Sequence, residues 1–167
     1  MADRVGVYPG SFNPPTIAHV AIAAAAREQR SLDRVVFVVS RSPINKEHVD
    51  RPLFEHRVDV LRTEVARYQW LDVEITEARL LVDIARGYDV LVMGADKWAQ
   101  VNDPEYYDDD LAARDHVVVS SSEARAGSTQ WMAPAARAFD RRTGAWSDPD
   151  RYEQWLHDSG YEPGIRA

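Results

Sequence analysis

Short apolar runs alternate with helical patterns along most of this chain, and the alternation limits the folds open to it. Five β-branched runs predict strands buried on both faces, at residues 4–8, 34–40, 71–75, 89–94 and 116–120. Apolar residues spaced three and four apart predict helices at residues 16–30, 52–68 and 78–87. Strands that alternate with helices pair in parallel through right-handed crossovers. The sequence therefore predicts a doubly wound α/β sheet of five parallel strands with helices on both faces.

Length and composition exclude several classes of protein. The 167 residues are enough for one domain with a buried core. No apolar run approaches the roughly 18 residues that span a bilayer, and the first residues lack a signal peptide's apolar stretch, so we expect a cytoplasmic protein without a membrane partner. The absence of cysteine excludes disulfides and thiol catalysis. A net charge of −7 argues against nucleic-acid binding, so an anionic ligand would need locally placed basic side chains.

The C-terminal part of the chain is expected to extend the main domain. We predict a domain over residues 1–140 and a helical extension over residues 141–167, packed on the same domain, with a helix near residues 151–159. Two roles stay open for this extension. It either covers a ligand site or joins two subunits in a homo-oligomer.

The loops that follow the strands are where a ligand is expected, at residues 9–16, 40–52, 94–104 and 120–127, because doubly wound sheets bind ligands beyond the carboxyl ends of their strands. In the first loop, Gly10 permits a sharp turn, two prolines stiffen it, and Thr16 can cap the next helix. His19 falls about one turn into that helix. Its ring would reach an anion bound at the positive end of the helix dipole.

Two further loops offer groups that suit phosphate. The fourth loop reads SSSEAR from residue 120, so three hydroxyls would open another helix, with Arg125 one turn in. The second loop supplies Ser42, Lys46 and Arg51, and Lys46 would face the same opening. The acidic run at residues 103–110 and the scattered histidines lack metal-ligand spacing, so no protein-held metal is expected.

Four stretches resemble, in the right order, the nucleotidyltransferases with (H/T)xGH and ISSTxxR signatures, a family that includes the nicotinamide and nicotinate mononucleotide adenylyltransferases. GSFNPPTIAH is similar to the first signature, and SSSEAR is similar to the second, with Ser122 in the threonine position. SPINKEHVDRPLFEHRVDVLR resembles the segment that carries a lysine and then an arginine, and VMGADKW resembles a glycine–aspartate turn. The likeness covers residues 4 to about 140 and implies a Rossmann-like fold.

The resemblance implies that a phosphate of an acceptor attacks the α-phosphorus of ATP and that pyrophosphate leaves. Catalysis would come from positioning and from charge stabilisation, with Mg²⁺ carried on the ATP phosphates. Asp96 would bind a ribose hydroxyl, and Trp98 is a candidate for stacking on a base. The implied catalytic residues are His19, Lys46 and Arg125, and the implied substrate-binding residues are Gly10, Ser11, Phe12, Thr16, Arg57, Gly94, Asp96, Trp98, Ser120, Ser121 and Ser122.

Departures from the family pattern leave alternatives open. Ala18 stands where many members have glycine, and the serine–tyrosine–threonine element of the bacterial nicotinate enzymes is missing before the third helix. Residues 127–129, GST, offer a second register for the second signature but supply no arginine three residues after the threonine. The glycine–aspartate turn favours nicotinate or nicotinamide mononucleotide as the acceptor, because the phosphopantetheine enzymes usually carry arginine there. A phosphopantetheine adenylyltransferase and a nucleotide-binding protein without turnover are the alternatives.

Overall fold

The computed structural model describes residues 3–41, 51–94 and 129–160 of the chain. In these residues four strands form one sheet in the order β3-β2-β1-β4, and each neighbouring pair is parallel. The strands are β1 (Val5–Pro9), β2 (Arg34–Ser40), β3 (Leu71–Thr76) and β4 (Val90–Leu91). The α/β fold with a parallel sheet is confirmed, and the fifth predicted strand, residues 116–120, lies outside the described residues.

Helices cover both faces of this sheet, as the sequence predicts. The helices are α1 (Ile17–Arg30), α2 (Phe54–Val65), α3 (Leu81–Ala85), α4 (Pro134–Thr143) and α5 (Pro149–Asp158), with a 3₁₀ turn at Thr129–Trp131. One core cluster joins alternate residues of β2, such as Phe37, to α1 and α2, and a second joins the intervening residues to Ile84 of α3. Because the side chains of a strand point alternately to its two faces, β2 buries five consecutive apolar residues.

The strands at the two edges of the described sheet differ from the prediction that every strand is buried on both faces. Asp72 and Glu74 of β3 are exposed, and their neighbours are buried or half-buried. β3 pairs only with β2 in the described sheet, and a strand with one solvated face shows such alternation. β4 is also shorter than predicted, and the side chain of Leu91 is 36% exposed.

The segment from residue 129 to residue 160 packs against the outer side of α2. Its cluster of buried side chains, which includes Met132, Trp146 and Tyr152, closes against Val60. α4 was not predicted from the sequence, whereas α5 confirms the helix predicted near residues 151–159. The predicted boundary between residues 140 and 141 falls inside α4, and the division into a domain and an extension stays a prediction.

The first turn of α4 is capped by a side chain from another helix. Glu64 of α2 is fully buried, and its Oε2 accepts the backbone N–H of Ala135 at 2.9 Å. This carboxylate therefore satisfies one of the N–H groups that a helix start leaves without a partner. Among the described helices, none is long and apolar enough to cross a membrane.

Candidate active site

The turn after β1 lies at the point where the sheet reverses its winding. From β1 the chain adds β2 and β3 on one side and then β4 on the other, so β1 and β4 are neighbours. Crevices at such reversals are where open α/β sheets bind ligands. The pairing of Gly6 with Val90 and of Val7 with Leu91, if continued, puts Gly94 level with Gly10. Both predicted glycines are therefore at the carboxyl edge of adjacent strands.

The turn needs a glycine at position 10 because the ring of Phe12 lies against it. A methyl group at Gly10 would lie 2.9 Å from two carbons of the Phe12 ring. Phe12 has a left-handed backbone with φ of 44°, and its ring stacks on Phe37 with centroids 4.5 Å apart. The N–H of Gly10 donates to the carbonyl of Val38 at 3.0 Å. Gly10 therefore contributes through its missing side chain, because its own N–H is used within the sheet.

His19 is held in one orientation by the residue that starts its helix. Thr16 is the N-cap of α1, as predicted, and its backbone N–H donates to Nδ1 of His19 at 2.9 Å. The Thr16 hydroxyl oxygen lies 3.0 Å from the same nitrogen. Because Nδ1 accepts a hydrogen bond from a backbone N–H, the neutral ring carries its proton on Nε2. The structure thus fixes both the orientation and the tautomer of this predicted catalytic side chain.

Two aromatic rings also pack against the His19 ring. The centroid of Phe12 lies 4.9 Å from that of His19, and the centroid of Tyr8 lies 6.0 Å away, both in edge-to-face geometry. Phe12 is 2% exposed and Thr16 is fully buried. A contact of these two predicted substrate-binding residues with a ligand would therefore use the backbone, whereas their side chains position His19. Ser11, between Gly10 and Phe12, is half-buried.

Two guanidinium groups share one aromatic ring where β2 ends. Arg57, a predicted substrate-binding residue on α2, lies with its guanidinium carbon 5.4 Å from the centroid of Phe54. Arg41, the residue after β2, lies 4.7 Å from the same centroid. Arg41 also has carboxylate oxygens of Glu77 and Glu55 at 3.4 Å and 3.9 Å. Arg41 was not predicted as a site residue, although its place directly after a buried strand is a usable signal.

The start of α2 is joined to α5 by a pair of partly buried hydrogen bonds. The hydroxyl of Tyr152 accepts the backbone N–H of Leu53 at 3.1 Å, and the same oxygen lies 2.6 Å from Nδ1 of His56. Burial lowers the pKa of His56 and outweighs the opposite effect of the neighbouring Asp59 and Glu55 carboxylates.

An ion pair joins the same two parts of the chain. Arg51, which precedes α2 by a few residues, pairs with Glu153 of α5. The guanidinium of Arg51 is therefore directed to α5 in this structure. Both side chains are about half exposed. An exposed pair of this kind contributes at most about 1 kcal/mol to stability.

A second set of contacts to the turn after β1 comes from the far end of the chain, and sequence reasoning did not find it. The indole Nε1–H of Trp146 donates to Oδ1 of Asn13 at 2.6 Å. The backbone N–H of Ala133 donates to the carbonyl of Pro15 at 2.9 Å. The only sequence signal is an unusual tryptophan in a polar stretch, which does not identify its partner.

The structure therefore brings together the predicted residues of the first loop, and Gly94 follows the neighbouring strand β4 at the same end of the sheet. Arg57 packs on Phe54 at the start of α2. Seven further predicted site residues lie outside the described residues and stay predictions; they are Lys46, Asp96, Trp98, Ser120, Ser121, Ser122 and Arg125. Within the described stretches, no group of three or more histidine, aspartate or glutamate side chains could hold a metal ion. The association of Mg²⁺ with ATP phosphates also stays a prediction.

Comparison with known proteins identifies relatives along most of the chain. The cytidylyltransferase-like family matches residues 7–148. A probable nicotinate-nucleotide adenylyltransferase of Citrifermentans bemidjiense is 41% identical over 63 residues, which are 38% of this chain and 29% of that protein. One from Listeria welshimeri is 29% identical over 79 residues, covering 47% of this chain and 42% of that protein. A phosphopantetheine adenylyltransferase of Carboxydothermus hydrogenoformans is 36% identical over 76 residues, covering 44% and 43%. The matched stretches thus span less than half of these relatives.

A solved structure has the same fold over nearly the full chain. It is a bifunctional NMN adenylyltransferase/ADP ribose pyrophosphatase from Francisella tularensis, complexed with AMP and a manganese ion. The identity is 14% and the TM-score is 0.53, over 96% of this chain and 54% of that one, so the likeness supports the fold alone. The family match extends from β1 to the end of the α4–α5 connection and includes the turn that carries His19. The chain belongs to the cytidylyltransferase-like family.

Proposed function

We propose that this protein transfers AMP from ATP to a phosphorylated small-molecule acceptor and releases pyrophosphate, with nicotinate or nicotinamide mononucleotide as the acceptor. The observation that carries the proposal is the turn after β1, where a rigid loop and a helix start hold His19 in one tautomer at the winding reversal. The names of the Citrifermentans and Listeria relatives support the choice of acceptor.

In the proposed reaction an oxygen of the acceptor phosphate forms a bond to the α-phosphorus of ATP. The bond from that phosphorus to the oxygen bridging to the β-phosphorus breaks, and pyrophosphate leaves with the electron pair. Such a reaction needs the two substrates in line and needs charge stabilised on the phosphoryl oxygens. His19 suits the second task, because Nδ1 accepts the N–H of Thr16 and the donor proton of the neutral ring is then on Nε2.

The remaining roles are proposed from the family resemblance. Lys46 and Arg125 would stabilise charge on the phosphates, and Asp96 would bind a ribose hydroxyl. ATP would enter as its Mg²⁺ complex, so the ion belongs to the substrate and retains water ligands. The start of α1 offers a helix dipole that favours the same negative charge.

Phosphopantetheine is the second candidate acceptor. The match to the Carboxydothermus phosphopantetheine adenylyltransferase covers a similar share of this chain and has higher identity than the Listeria match. A protein that binds nucleotide without turnover is the third candidate, because Ala18 occupies a position next to His19 where many members have glycine.

An acceptor panel tests these three candidates. Purified full-length protein is incubated with ATP, Mg²⁺ and nicotinate mononucleotide, nicotinamide mononucleotide or phosphopantetheine, and pyrophosphate release is followed by a coupled assay. We expect release with a mononucleotide and its loss in His19→Ala, which also controls for a contaminating enzyme. Release with phosphopantetheine alone would favour the second candidate. Calorimetry that detects ATP binding without release would favour the third, and no ATP binding at millimolar concentration would refute the proposal.

A further inference from the structure

We propose that Trp146 is a positioning residue for His19 and acts through the hydrogen bond from its indole to Asn13. The two side chains are 133 positions apart in the chain, and their Nε1···Oδ1 distance is 2.6 Å. Trp146 is 5% exposed and Asn13 is 3% exposed, so water does not compete for this bond. The kinetic part of the inference rests on the proposed function, whereas its structural part does not.

Trp146 is itself fixed by a network of contacts between α4 and α5. The backbone N–H of Trp146 donates to Oδ1 of Asp140 at 2.7 Å, and the N–H and hydroxyl of Ser147 donate to the same carboxylate at 3.0 Å and 2.7 Å. Arg151 donates to the carbonyl of Asp140 at 2.8 Å. Asp140 is 4% exposed. Because the indole is held from its own side, it is a fixed point against which Asn13 can be positioned.

The connection from Asn13 to His19 is short and stiff. Two prolines, Pro14 and Pro15, separate Asn13 from Thr16, and each proline ring fixes its own φ. A displacement of Asn13 therefore moves the backbone N–H of Thr16, which is the group bonded to Nδ1 of His19. The same stretch is held on its other side, where Pro15 accepts the N–H of Ala133 and Thr16 forms an isolated β-bridge with Met132.

Replacing the indole donor while keeping an aromatic ring tests the inference. Trp146→Phe removes the Nε1–H and leaves the buried oxygen of Asn13 without that donor. Trp155→Phe is the matched control, because Trp155 packs in the same cluster, with its ring centroid 5.7 Å from Phe139 and 6.0 Å from Tyr152. Both substitutions remove the same side-chain atoms, but Trp155 is half-buried, so the comparison uses the His19 signal and kcat and not the melting temperature.

The first measurement is the ¹⁵N NMR spectrum of protein labelled at its histidine rings, with the His19 signals assigned from a His19→Gln variant. We expect the Nδ1 signal of His19 to move in Trp146→Phe and to stay in place in Trp155→Phe. The second measurement is steady-state kinetics, in which we expect kcat of Trp146→Phe to fall about tenfold or more while KM for ATP changes less than about threefold. A structural role alone lowers the melting temperature and leaves both quantities unchanged in the folded protein.

A substitution at the other end of the hydrogen bond keeps the inference testable if Trp146→Phe does not fold. Asn13→Leu has a similar shape without the acceptor, and we expect it to move the signal and lower kcat. Unchanged His19 signals in both Trp146→Phe and Asn13→Leu would overturn the inference. Absence of turnover in the wild type would refute the proposed function, and the NMR result would then decide the inference by itself.

Discussion

Replacing Gly10 by alanine tests whether the turn after β1 is as rigid as its contacts indicate. The new methyl carbon would lie 2.9 Å from Cε2 and Cζ of Phe12 and 3.2 Å from Cε1. Carbon atoms in contact are normally about 3.5–4.0 Å apart, so the ring or the Gly10 backbone must move by about 0.5–1 Å. The ring has little room, because it stacks on Phe37 and its centroid lies 5.7 Å from that of Tyr8.

The expected cost follows from this overpacking. Adding a methyl group to a tightly packed site lowers the free energy of unfolding by about 1–3 kcal/mol. For a chain of this size each kcal/mol lowers the melting temperature by about 2–4 °C, so we expect a decrease of about 2–12 °C. The Phe12 ring also contacts the His19 ring at 4.9 Å between centroids. We therefore expect pyrophosphate release per folded molecule to fall as well, because the displaced ring disturbs His19.

Gly87→Ala is the matched control for this substitution. Gly87 has φ of 92° and no heavy atom within 4 Å of a built Cβ, so alanine there costs conformational strain of about 1–2 kcal/mol without a clash. Gly87 precedes β4 and is therefore at the amino ends of the strands, whereas Gly10 is at their carboxyl ends. Melting is measured by calorimetry and turnover by pyrophosphate release. An unchanged melting temperature in Gly10→Ala, or an equal fractional loss of turnover in both variants, would refute the reasoning.

Three further substitutions test the catalytic, structural and titrating groups. His19→Asn keeps an acceptor for the N–H of Thr16 and loses the Nε2 donor, so turnover should fall about a hundredfold with little change in melting temperature. Near wild-type turnover in this variant would contradict the proposed role of His19. Glu64→Ala should lower the free energy of unfolding, measured in urea, by about 1–3 kcal/mol, because it leaves the backbone N–H of Ala135 without its acceptor. The control is Arg67→Ala, which removes only the exposed partner of Glu64 and should cost under about 1 kcal/mol. Equal losses in the two variants would show that the Arg67–Glu64 ion pair dominates. Because burial lowers the pKa of His56, its stabilising contribution is complete above about pH 6.5 and is lost as the pH falls toward the folded-state value. His56→Gln should therefore flatten the fall in stability below that pH, and an unchanged slope would contradict this.

The central elements of the fold were predicted closely because their signals are local. β2 has the predicted bounds, 34–40, since a strand buried on both faces shows an unbroken β-branched run. α1 follows its predicted N-cap directly. At the edges of the described sheet the agreement is poorer, and β4 has two residues where the sequence indicated six. An apolar run indicates which residues are buried but not where the hydrogen bonds between strands end, so the bounds of β4 cannot be read from apolar residues alone.

α4 was missed because the features that define it lie elsewhere in the chain. Its N-cap position is Ala133, which offers no side-chain acceptor, and the acceptor comes instead from Glu64 of α2. Its buried positions are small or polar, such as Ala136 and Thr143, so no stripe of large apolar residues marks its buried face. Local signals for α4 do exist, because Pro134 is at its first position and Gly144, with a left-handed backbone, follows its end, but the usual side-chain cap at its start is missing from its own sequence.

In the candidate site, too, some contacts could be predicted from neighbouring residues and others depend on residues far away in the chain. The residues from Gly10 to His19 lie within ten positions, so their turn chemistry and capping could be read from the sequence. The bond from Trp146 to Asn13 depends on how the α4–α5 connection is placed, which no local pattern encodes. If the local contacts alone were sufficient to orient His19, a change at Trp146 would affect stability and leave the imidazole unchanged. A response of the His19 ring to that change would mean that the residues from Gly10 to His19 supply the reacting groups, and that the α4–α5 connection sets their position.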